Sequence, residues 1–165
     1  YHPGLKTVNL DGWNIGDALN IGDYGDGRYV FPEGAQLLPK QVIVVAACAP
    51  NFAARYGFNP TYEWTDCDPL VPDVIPIAHW EGFGMALGNV SDEVLLLDAT
   101  AAIVDSVAWG GVPRAGVLPF PMDPDSTFPW EASLKRYPPN HDRDDCSRDF
   151  YISFQPSPGR VSGAD

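Results

Sequence analysis

The sequence predicts an all-β sandwich with long decorating loops, on three observations. Apolar and polar residues alternate over short runs, the pattern of half-buried strands. Turn signals interrupt those runs at close intervals, with 16 glycines and 17 prolines in 165 residues, a composition that favours short strands over long helices. Hydrophobic residues make up 45% and aromatic residues 12%, enough to bury a core and too apolar for a disordered segment. The length is that of one domain, residues 1–165, and no linker divides it.

Val8-Asn9-Leu10 and Trp13-Asn14-Ile15 alternate around the turn pair Asp11-Gly12. A Gly/Asp-rich loop then leads to Arg28-Tyr29-Val30-Phe31, and Pro32-Glu33-Gly34-Ala35 turns the chain. The run Val42-Ile43-Val44-Val45-Ala46-Ala47 is apolar at every position and reads as a central strand covered on both faces. One short helix is expected over Asn51 to Gly57, where Pro50 precedes it and Gly57 stops it. Residues 58–82 form a Pro-rich, aromatic-rich insertion, and a second covers about 112–130. Between them lie two strands, Glu93 to Asp98 and Ala102 to Trp109. Two more are predicted at Ser133 to Tyr137 and Phe150 to Phe154.

Charge narrows the partner classes. Against 10 basic residues stand 22 acidic ones, a formal net charge of −12, so a phosphate backbone is repelled and a nucleic-acid partner is excluded. No apolar run approaches the roughly 18–20 residues of a membrane span. Few lysines, many aspartates and abundant Pro, Trp and Tyr read as extracellular or cell-surface. A chain opening on Tyr1 reads as a matured product or a piece of something longer.

Four segments stand in a telling order: Tyr1-His2-Pro3-Gly4 with Val8 to Asp17; Phe31-Pro32-Glu33-Gly34, Leu38-Pro39 and Val42 to Ala47; Leu87 to Val94 through Val104-Asp105-Ser106-Val107; and Ser133-Leu134-Lys135-Arg136, Pro138-Pro139, Asp149-Phe150 and Pro156-Ser157-Pro158-Gly159. In that order they resemble four motifs of the lamin-tail domain family in its secreted bacterial and archaeal form. The resemblance implies an immunoglobulin-like β-sandwich without catalytic residues, serving as an accessory or cell-surface module. The family's first strand would end at Tyr1, so the resemblance also implies an apolar slot filled either by a strand of the same protein preceding Tyr1 or by one that another chain supplies.

The chain carries no GxSxG, HExxH, P-loop or CxxC motif, and His2, His79 and His141 lack zinc spacing. No enzyme is expected. Tyr56, Tyr62, Trp64 and Trp80, in or beside the first insertion, are candidates for a ligand or partner surface. Asp142, Asp144 and Asp145 offer hard oxygen ligands for Ca²⁺ in one loop, although Tyr151 stands where an EF-hand needs its distal glutamate. No other cofactor is expected. Cys48, Cys67 and Cys146 allow three pairings that sequence does not separate; Cys67 and Cys146, both in acidic loops, are the better disulfide candidates, with Cys48 buried at a strand end. The leading expectation is a structural or protein-interaction module that binds a protein partner or itself by strand complementation. Its alternative is a carbohydrate- or Ca²⁺-dependent adhesion module, an accessory to a secreted hydrolase.

Overall fold

A computed structural model describes residues 1–17, 27–77, 84–111, 117–122, 129 and 131–161. Its elements are β1 (Val8–Asn9), β2 (Asn14–Gly16), β3 (Arg28–Val30), β4 (Gln36–Leu37), β5 (Val45–Ala46), α1 (Ala49–Tyr56), β6 (Tyr62–Glu63), β7 (Ile75–Pro76), β8 (Asp92–Leu97), β9 (Ile103–Trp109), β10 (Ser133–Arg136), α2 (Cys146–Asp149) and β11 (Phe150–Ser153). The fold is β-rich, with mostly antiparallel pairing. A five-stranded sheet runs β7-β3-β2-β8-β9, and β1-β4, β10-β11 and β5-β6 pair separately. Among the described residues, no helix is long and apolar enough to cross a membrane.

Most of the expected strands form where alternation placed them, and α1 ends at Gly57, whose φ of 79° closes the helix as only glycine does without strain. Four details depart from expectation. The Asp11-Gly12 turn makes no hairpin: β1 pairs with β4 and β2 with β3 and β8, so the turn carries the chain between two sheets. Leu10 anchors that crossing, donating its N–H to Ala35 O and accepting from Trp13 N. The run 42–47 is not a covered central strand. Only Val45 and Ala46 pair, in parallel with Tyr62 and Glu63, and Val42 to Val45 remain half-buried.

Residues 58–77 are built into the fold rather than inserted beside it. They supply β6, the edge strand β7, and the buried Val71 and Val74. Finally, a second helix, α2, rises from the acidic run where no helix was expected. Asp145 caps it by accepting from Ser147 N, the side-chain capping that aspartate performs well.

The main core gathers Leu10, Tyr29, Phe31, Ala35, Tyr62 and Val74. A smaller cluster of Ala108, Val117 and Cys146 lies behind β9.

Candidate functional site

Residues from every sheet surround one open cleft of about 1110 Å³. Its walls are largely apolar, with Ile15 of β2, Val45 of β5, Leu96 of β8, Val107 of β9, Leu134 of β10 and Phe150 of β11 among them. The register of the five-stranded sheet sets Ile15 opposite Leu96 and Val94 opposite Val107, so these four side chains share one face. A narrower recess, bounded by Leu87, Trp109, Val107, Leu134 and Phe150, continues between β9 and β10.

The backbone edges at this cleft are open. β9 pairs with β8 on one side, and its other edge meets the 118–120 segment only at its end, through Ala108 O and Gly110 N. Among the described residues, Ile103 to Val107 have no strand partner on that edge, although Ser106 N donates to the Asp105 carboxylate at 2.7 Å, and β10 pairs only with β11. Ile103 and Val104 are 41% and 45% exposed. An open, partly apolar edge is a template for another strand.

A polar contact crosses the gap. Arg136 of β10 reaches Asp105 of β9 at 2.6 Å and Asp142 at 3.4 Å, with its guanidinium 4.8 Å from the Phe150 ring centroid. Burial pushes the Asp105 carboxyl up, against the pull of Arg136. Tyr1, His2 and Pro3 line the cleft nearby.

Of the aromatic candidates, Tyr56 is exposed at 38%, stacked on Phe52 with a centroid separation of 4.7 Å. Tyr62 does not join it. It is only 8% exposed and packs edge-on against Phe31, because β6 turns it into the main core. Trp64 is half-buried against Tyr29. Trp80 lies outside the described residues.

The proposed Ca²⁺ ligands do not converge. Asp142 is engaged by Arg136 and by Asp144 N, while Asp145 spends one oxygen on Ser147 N and Oγ. Asp144 is exposed, at a φ of 53°. Among the described residues, the one group of three potential metal ligands is elsewhere, at Cys48, Glu63 and Cys67.

The disulfide also differs from expectation. Cys67 bonds to Cys48, with Cα atoms 5.4 Å apart, not to Cys146. Parallel pairing of β5 with β6 carries the two cysteines to the same place, whereas Cys146 is free and buried behind β9. Its Sγ accepts from Ala108 N, and burial pushes the thiol up.

Three buried carboxylates hold the loops around these elements. Glu63, 0% exposed, accepts from Ala49 N at 2.5 Å, Cys67 N at 2.7 Å and Asp68 N at 2.6 Å. Asp17 accepts from Gly27 N and from Ala86 N at 2.9 Å; burial pushes its carboxyl up, against those bonds. Asp149 accepts from Arg143 N at 2.7 Å and Nη1 at 2.6 Å. The first two had no recognised signal, although Glu63 stands alone between Tyr62 and Trp64, an odd place for an unpaired acid.

Burial by itself raises the Asp149 carboxyl, but the Arg143 N–H and guanidinium outweigh it and hold it below the ordinary aspartate range. A depressed carboxylate contributes stability above its unfolded pKa and loses it as pH falls through the folded one. The stability gap between wild type and Asp149→Asn is therefore full at neutral pH, about 1–3 kcal/mol, and closes below about pH 4. Urea midpoints measured across that range check it.

No family model, curated protein or solved structure matches this chain.

Proposed function

We propose that the chain is an immunoglobulin-like β-sandwich of the lamin-tail type, and that it acts without catalysis as a strand acceptor in an extracellular or cell-surface assembly. The observation that carries this is the apolar cleft lined by β9 and β10, each of which, among the described residues, has a strand partner on one edge only. A strand laid there satisfies backbone groups on both sides and places alternate side chains against Val107, Leu134 and Phe150. The occupant is an extended segment of another polypeptide with alternating apolar residues. With a net charge of −12 on the acceptor, basic flanks on the donor speed and orient the encounter.

The test uses a synthetic lysine-flanked peptide of about eight residues alternating valine and threonine. Amide exchange at 103–107 and 133–136 is expected to slow when the peptide binds. Val107→Arg, which puts a charge into the apolar gap, abolishes the protection. A proline-substituted peptide of similar composition gives none. Equal protection in Val107→Arg, or no protection in the wild type, rejects the reading.

A further inference from the structure

Independently of the strand cleft, we propose that Cys48, Glu63 and Cys67 form a metal site for a thiophilic divalent cation, Zn²⁺ or Cd²⁺, which opens when their disulfide is reduced. The ligand atoms of all three residues lie within 4.8 Å of one another. Each belongs to a different local structure: Cys48 is the N-cap of α1, Glu63 ends β6, and Cys67 follows Asp66, whose φ is 46°.

Glu63 makes this more than a disulfide with a neighbour. Its carboxylate is fully buried and already oriented by three backbone N–H groups. Oε1 takes two of those bonds and Oε2 takes one, so Oε2 keeps a lone pair for a metal. Hydrogen bonds that fix a ligand's direction are what the outer shell of a metal site supplies. Thr65 Oγ1 adds a contact to Cys67 Sγ at 3.0 Å. Cys67 is exposed, which gives a reductant access and leaves a coordination position for water.

The chemistry balances with a dithiol as reductant. Two electrons and two protons pass from the dithiol to the Cys48–Cys67 bond, which breaks to two thiols while the dithiol closes to its own disulfide. An incoming Zn²⁺ then displaces both thiol protons to solvent and binds two thiolates, Oε2 and a water, a tetrahedral S₂O₂ set.

The experiment reduces the whole chain with dithiothreitol, removes the reductant anaerobically and titrates Cd²⁺ alone, following the ultraviolet thiolate-to-cadmium charge-transfer band. One Cd²⁺ per reduced chain is expected, and none in the oxidised chain. C146S leaves the titration unchanged, whereas C48S and C67S abolish it. E63Q weakens binding by about tenfold or more. Should E63Q fail to fold, the wild type still decides, since Zn²⁺ must protect two thiols of the reduced chain from Ellman's reagent. A band that survives in C67S, or thiols that Zn²⁺ leaves unprotected, overturns the site.

Discussion

Glu63→Ala lowers the unfolding free energy by about 3–5 kcal/mol, among the largest effects one side chain exerts on a domain of this size. The substitution strands three buried N–H donors at once, at Ala49, Cys67 and Asp68. Each costs about 1–3 kcal/mol when left without a partner. Relief from burying a carboxylate offsets part of that sum. The loss is read as a shift in urea midpoint at unchanged slope. Glu63→Gln keeps one acceptor oxygen and loses clearly less, which separates the hydrogen bonds from the volume of the side chain. A loss of unfolding free energy under about 1 kcal/mol for Glu63→Ala would mean that water replaces the carboxylate.

Leu10→Ala costs about 2–5 kcal/mol, by a different mechanism. Leu10 is 1% exposed and belongs to the cluster with Tyr29, Phe31 and Val74. Its two backbone bonds, to Ala35 and Trp13, survive the change, so the loss is transfer energy plus the cavity left among rigid aromatic neighbours. The spread reflects how far Phe31 and Tyr62 can close the space. Leu10→Val, which keeps most of the volume, separates cavity from turn: it costs under about 1.5 kcal/mol if packing is the cause.

Local pattern made much of the fold legible. β8, β9, β10 and β11 stand where alternation placed them, and Gly57 ends α1 as expected, although the helix begins at Ala49 and takes Pro50 into its first turn rather than starting after it. What alternation does not encode is which strand meets which. The parallel pairing of β5 with β6 is non-local, and it decides the disulfide, the position of Glu63 and the inward turn of Tyr62. The apolar run 42–47 misleads for a physical reason: Val45 and Ala46 line the cleft, and an apolar cleft wall reads in sequence like a covered strand. At Asp142, Asp144 and Asp145, acid clustering suggested a cation. Arg136 and the capping of α2 account for two of those carboxylates instead. Glu63 was hidden because its partners are backbone groups, which leave no trace in side-chain composition.

The place of β2 between β3 and β8 has a kinetic consequence. Its first edge meets Val30 soon after synthesis, but its second waits for Leu97. At ribosomal speeds, roughly 3–13 s separate the emergence of those two partners. For that interval Asn14 to Gly16 present an unpaired edge, the kind that recruits a neighbouring nascent chain. The long loop between the pairing partners also slows closure once both are available. Yield on refolding should therefore fall with protein concentration more steeply than the stability of the finished sheet suggests, because the hazard lies in the waiting edge and disappears when β8 docks.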